Sequence, residues 1–319
     1  MNAPHARVAR RPVHGVLLLD KPLGWSSNQA LQKAKWLLAA EKAGHTGTLD
    51  PLATGVLPLC FGAATKFSQM HLDADKVYQA QLRLGVTTST ADAEGEVLQT
   101  RNVAVSPQLI SEVLARFTGP IAQIPPMHSA LKKDGKALYE YARAGIEVER
   151  AVRHVRIHGI TLLADESAAA VPRLSVEVAC SKGTYIRTLA EDIGEALGCG
   201  AHLSALRRVQ TGDFHIGVCV ELEALEAMDM AQRLLCLQPV DSLLPGHARI
   251  TLDADNAGRF LSGLRRRGPW DDAEQVAVYG QAPRELLGTA HVKAGELIPT
   301  RLLSPLDISQ VREQAVWAQ

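Results

Sequence analysis

The sequence predicts an α+β protein in two parts, on three observations. Strand-like and helix-like stretches alternate irregularly, 319 residues exceed one ordinary domain, and the character of the chain changes near Leu244, Pro245 and Gly246. The expected division is a basic N-terminal arm over residues 1–13, a larger α+β domain over 14–244, and a small mostly-β module over 245–319.

Taken in order, the arm carries Arg7, Arg10 and Arg11, and Gly15–Leu19 reads as a short apolar strand. The loop KPLGWSS then offers Ser26 or Ser27 as the N-cap of an amphipathic helix over residues 28–40. Ala30, Leu31, Ala34, Leu37 and Leu38 recur there at helical spacing. Val77–Leu84 alternates with period two, placing Tyr78, Ala80, Leu82 and Leu84 on one face of a strand. Ser106-Pro107 starts a helix with Leu109, Ile110, Val113, Leu114 and Phe117 on its apolar face, and Gly119-Pro120 should end it. Residues 122–154, rich in His, Lys and Arg, read as an exposed insertion: a loop followed by a short helix. Arg173–Cys180 alternates as another strand, a Lys182-Gly183 turn follows, and TYIRTLAEDIGEALG forms a helix. The tail is a series of short apolar runs separated by Gly and Pro.

Composition excludes several classes. The chain is 46% hydrophobic and 21% charged, as ordinary globular proteins are, and no run is long enough to span a bilayer. The apolar stretch at Gly15–Leu19 meets Asp20 and Lys21 at once, so no signal peptide is read and a cytoplasmic location is expected. Five scattered cysteines without a CxxC pair argue against a disulfide framework or zinc cage. The histidines show no HExxH spacing, and no GxxxxGK[ST] or GxGxxG occurs. The stretch TADAEGEV resembles part of a calcium loop but puts Arg101 at the twelfth position, so it reads as a hairpin turn. A net charge of +0 leaves any contact with nucleic acid to local clusters such as Lys132, Lys133, Lys136 and Arg265–Arg267.

Three features carry possible chemistry. GHTGTLDPLATG, residues 44–55, wraps three glycines and a proline around Asp50, a costly loop to order. Either it is a site or it is a tight turn in which Asp50 caps a backbone amide. Arg187 falls in the first turn of its helix, where a cation opposes the dipole: either it meets a negative partner or it is a plain surface arginine. Tyr78 points inward, so its hydroxyl needs a partner or a cleft. Sugar hydrolysis fits poorly, because no second carboxylate shares the Asp50 loop and only 4% of the chain is aromatic.

Taken together, KPLGWSS, GHTGTLDPLATGVLPLCFGAATK, DKVYQA, PPMHSALKKDGKALYEYAR and SKGTYIRTLAEDIG resemble the TruB family of tRNA pseudouridine synthases, in order over most of residues 14–215. The tail is similar, more weakly, to the RNA-binding PUA module. The resemblance implies a catalytic domain with a mixed, largely antiparallel sheet flanked by helices, plus a small PUA-like barrel. It implies a cofactor-free, metal-free isomerisation of uridine 55 in the tRNA T loop, by a monomer, with the nucleotide flipped out. In that reading Asp50 is the nucleophile, Arg187 pairs with it, and Tyr78 stacks on the base. His45, Tyr185 and Leu206 touch the flipped nucleotides, with Arg207 and Arg208 beside phosphates and Lys21 next to the site. A non-catalytic tRNA-binding chaperone is the competing expectation.

Overall fold

The structure, a computed structural model, describes residues 9–129, 131–281 and 284–317. Arg7 and the start of the expected basic arm lie outside them. The chain divides into two compact units of interleaved chain. Residues up to Asp50, Val56–Leu72 and Gly217 onward form one, and Pro51–Gly55 with Asp73–Ile216 forms the other. Among the described residues no helix is long and apolar enough to cross a membrane.

In the first unit, β1 (Gly15–Lys21) pairs parallel with Val220–Glu221 and antiparallel with Leu237–Gln238. Helix α1 (Ser27–Leu37) is capped by Ser26, whose hydroxyl accepts from Gln29 N at 3.2 Å while Gln29 returns a bond to the Ser26 amide. It buries Ala30, Leu31, Ala34 and Leu37, as the spacing predicts. The helix stops short of residue 40 because Ala39 turns left-handed at φ 49° and Ala40 bridges to Arg11. β2 (Ala43–His45) runs antiparallel to the far end of β3 (Ala53–Phe61), so residues 46–52 connect two paired strands. A short helix, α2 (Ser68–Leu72), follows.

The tail of this unit forms the expected β-rich module, a five-stranded sheet. Its order is Ala248–Leu252, Ala273–Gly280, Leu286–Lys293, Glu296–Leu302, Arg266–Arg267. Two helices accompany it, Ala254–Leu261 and Pro305–Trp317. At the start of the last helix Ser304 and Asp307 cap one another, and Lys66 Nζ reaches Asp307 at 2.9 Å. Burial alone would raise the Asp307 pKa; hydrogen bonds from Ser304 and Lys66 outweigh it and hold the value at about 2. Further along, the Gln314 amide brackets the His14 backbone, accepting from N at 2.8 Å and donating to O at 2.7 Å.

The second unit is a mixed sheet with helices. β4 (Lys76–Leu84) buries every second residue, as the alternation predicts. β5 (Val86–Thr88) and β6 (Val97–Thr100) form the hairpin read from TADAEGEV. Helix α3 (Pro107–Arg116) starts at Ser106 as expected. Gly119-Pro120 does more than end it: it opens β7 (Gly119–Gln123), the edge strand, where proline is tolerated because one side of its backbone needs no ladder partner. The insertion holds a hairpin the sequence reading passed over, β8 (Lys132–Lys133) and β9 (Lys136–Ala137), before the short helix α4 (Leu138–Arg143). Its turn is Asp134-Gly135, both at positive φ, the backbone that Asp-Gly favours.

Two long strands also escaped the period-two reading, β10 (Arg153–Glu166) and β12 (Ala201–Thr211). Bulges explain this, because register shifts at Ile157/Gly159, Leu162/Ala164, Leu203/Ala205 and Arg208/Gln210 break the alternation. β11 (Arg173–Cys180) and helix α5 (Ile186–Ala196) appear where expected. Strand order is Ala53–Gly55, β12, β4, β11, β10, β7, with only the first pair parallel. Gly194 lets α5 approach the start of β12, since a Cβ there would lie 2.1 Å from Ala201 N.

Candidate active site

Asp50 lies in the connection between β2 and β3, half-buried, in the first unit. Of the three glycines around it, Gly47 (φ 75°) and Gly55 (φ 104°) need their left-handed backbone, whereas Gly44 does not. The loop is held at Leu49, which is 3% exposed: the Ser27 hydroxyl donates to Leu49 O at 2.9 Å and accepts from Leu49 N at 2.7 Å. His45 stands half-buried at the end of β2. Lys21 is 0% exposed, and its ammonium donates to the carbonyls of Pro22 (2.9 Å) and Trp25 (2.5 Å). Lys21 thus holds the KPLGWSS loop from inside.

In the second unit the register of β4 and β12 sorts the remaining predicted residues by face. Arg208 stands opposite both Tyr78 and Gly55, and Leu206 stands opposite Ala80 and Ala53, so Tyr78, Arg208 and Leu206 share one face. Arg207 points to the other, in a polar row with Thr54, Gln79 and Glu177; its Nη1 donates to Thr54 Oγ1 at 3.3 Å. Gly55 is required here: a Cβ would sit 2.2 Å from Arg208 O. Arg208 is only 1% exposed, whereas Arg207 keeps part of its surface open. Lys76, two residues before Tyr78 on the same face, is 8% exposed. Burial first, and then the Arg208 charge, bring its pKa down to about 8.

Helix α5 positions the other two residues. Tyr185 is its N-cap, with a backbone bracketed by the Gln123 amide from β7: Tyr185 N donates to Oε1 at 3.0 Å and Nε2 donates to Tyr185 O at 3.2 Å. Arg187, in the first turn, is 6% exposed. The anion that its position implies is present in Asp92, 3.3 Å from Nη1 and 2% exposed, while Nη2 donates to His128 O at 2.6 Å. Asp92 also accepts from Thr90 Oγ1 and Glu94 N. Sequence reading missed Asp92, because in TADAEGEV it is indistinguishable from a turn-forming aspartate, and missed Gln123, an ordinary strand residue by its neighbours.

Three family profiles match successive stretches of the chain. They are the N-terminal domain of TruB family pseudouridylate synthase over residues 35–186, the tRNA pseudouridylate synthase B C-terminal domain over 187–245, and the C-terminal region of pseudouridine synthase II TruB over 248–303. The chain is 65% identical over 312 residues to a tRNA pseudouridine synthase B of Verminephrobacter eiseniae, covering 97% of this chain and 94% of that one. It is 60% identical over 303 residues to the protein of that name from Ralstonia nicotianae, covering 93% and 96%. Among solved structures, a Cbf5-Nop10-Gar1 complex contains a chain that matches with TM-score 0.69 and 25% identity, over 96% of this chain and 89% of that one.

Two measurements test this geometry. Replacing Asp92 by Ala removes one half of a buried ion pair, and urea unfolding should show a loss of about 3–5 kcal/mol; a loss under about 1 kcal/mol would mean that the pair behaves as an exposed one. For Lys76, between pH of about 8 and the usual lysine value of about 10.4, the unfolded chain holds a proton that the folded chain has released. Stability should therefore rise with pH across that window, by up to about 3 kcal/mol relative to Lys76→Met. Parallel pH profiles for the two proteins would refute the shift.

Proposed function

Because the chain belongs to the TruB family of pseudouridylate synthases, we propose that it converts uridine 55 in the T loop of tRNA into pseudouridine, in the cytoplasm. The observation that carries this reading is the 65% identity, over 97% of the chain, to a tRNA pseudouridine synthase B.

Uridine and pseudouridine are isomers, so the chemistry calls for no redox partner, metal or group donor. The N1–C1′ bond breaks, the uracil rotates, and C5 bonds to C1′; C5 gives up a proton and N1 gains one. A nucleophile has to carry the intermediate between breaking and joining, and a carboxylate does so by attack at C1′ or C6. Asp50 is the carboxylate assigned that role, with Arg187 holding it ionised. The target base cannot be reached inside a stacked loop, so it is flipped out. The Tyr78 ring receives it, Leu206 and Tyr185 give apolar and backbone-held walls, and His45 orders the neighbouring nucleotides.

Phosphate contacts fall to exposed cations. Lys132 and Lys136 stand on the exposed β8–β9 hairpin of the insertion, and Arg207 lies on the polar face of β12. On the C-terminal sheet Arg265 and Arg267, 64% and 87% exposed, share one carboxylate, Glu296, so that cluster retains net positive charge for RNA. One chain supplies every residue named, and the reaction needs no second copy.

Purified protein should form pseudouridine in a T stem-loop with no added cofactor, read by a label specific for pseudouridine, and Asp50→Asn should abolish turnover while RNA binding persists. Turnover by Asp50→Asn would end the nucleophile assignment; failure of the unmodified protein to react would favour an RNA-binding role alone. Replacing Lys132 and Lys136 together by Ala should lower the slope of log Kd against log salt by about two. An unchanged slope would remove the hairpin from the RNA interface.

A further inference from the structure

Two serines stand side by side at the start of α1, with different partners. Ser26 caps the helix. Ser27, its first helical residue, is 2% exposed and turns its hydroxyl onto Leu49, donating to the carbonyl and accepting from the amide. The N–H and C=O of one residue are the pair that an antiparallel strand partner satisfies. Here a single hydroxyl satisfies both.

The consequence lies one residue on. Leu49 O belongs to the peptide plane that ends at Asp50, and that plane is stiff, so fixing the oxygen fixes the orientation from which the Asp50 Cα starts. On the other side Pro51 disfavours the helical region for Asp50. Gly47 lends the loop no rigidity of its own. Farther along α1, the Arg233 guanidinium ties the helix down, donating to the carbonyls of Leu37, Leu225 and Glu226 at 2.8–2.9 Å.

We propose that Ser27 is a positioning residue for the reaction: its hydroxyl, bridging both backbone polar groups of Leu49, sets the direction of the Asp50 carboxylate. The proposal rests on the reading of Asp50 as nucleophile. It predicts a loss in the chemical step rather than in RNA binding, because the Ser27 side chain is buried and has no route to the RNA.

Ser27→Ala, Ser27→Cys and Asp50→Asn are compared for turnover of a T stem-loop, for RNA binding and for melting temperature. Cysteine keeps the shape of the side chain with a slightly larger atom that is a weak donor and acceptor, so it loosens the clamp without leaving a cavity. Both Ser27 variants should lower kcat by about 10- to 100-fold, with KM and Kd within about twofold of the unmodified protein. If Ser27→Ala does not fold, Ser27→Cys alone decides, its melting temperature establishing that the loss is not one of folded protein. Unchanged kcat in a folded Ser27 variant, beside an inactive Asp50→Asn, overturns the positioning role; so does a raised KM with kcat intact. Turnover by Asp50→Asn overturns the underlying nucleophile reading, whatever Ser27 shows.

Discussion

No side chain can stand at position 55. Gly55 lies against the backbone of Arg208 with φ 104°, and a Cβ would come within 2.2 Å of the Arg208 carbonyl oxygen. That close approach goes with the parallel pairing of Ala53–Gly55 and β12. Strand side chains alternate, so a slip of one residue between β12 and β4 would exchange Arg208 and Leu206 for Arg207 on the face that carries Tyr78. The ladder between β12 and β4 therefore sets which of these residues share a face, and Gly55 allows the third strand to close against it.

A second theme is buried positive charge. Lys21, Lys76, Arg187 and Arg208 are each less than 9% exposed. Burying a cation is costly unless polar groups surround it, and three solutions are visible. Lys21 is wrapped by loop carbonyls, Arg187 is paired with Asp92 and a carbonyl, and Lys76 holds its proton less tightly than usual. Such cations stabilise less than apolar packing of the same volume would.

The backbones of two assigned residues, or their immediate neighbours, are held by side chains acting as substitute strand partners: Ser27 on Leu49 and Gln123 on Tyr185. Both sit where a loop meets a regular element. A loop rich in glycine is flexible until something outside it supplies hydrogen bonds. Rigid geometry at a site built on loops comes from such cross-connections.

Local patterning was legible before any coordinates. The alternation of Tyr78, Ala80, Leu82 and Leu84, the Ser106-Pro107 helix start, the first-turn place of Arg187 and the joint occurrence of the family's motifs all depend on neighbours in sequence, and each is a property of a few consecutive residues. What failed to read were β10 and β12, whose bulges spoil the period, and the β8–β9 hairpin, hidden in a stretch that looked merely basic. Tertiary structure alone decided that Arg208 and Lys21 are buried, that Asp92 lies beside Arg187, and which serine caps and which clamps. The physical reason is that burial and partner choice arise between segments far apart in the chain, where sequence spacing carries no information about distance.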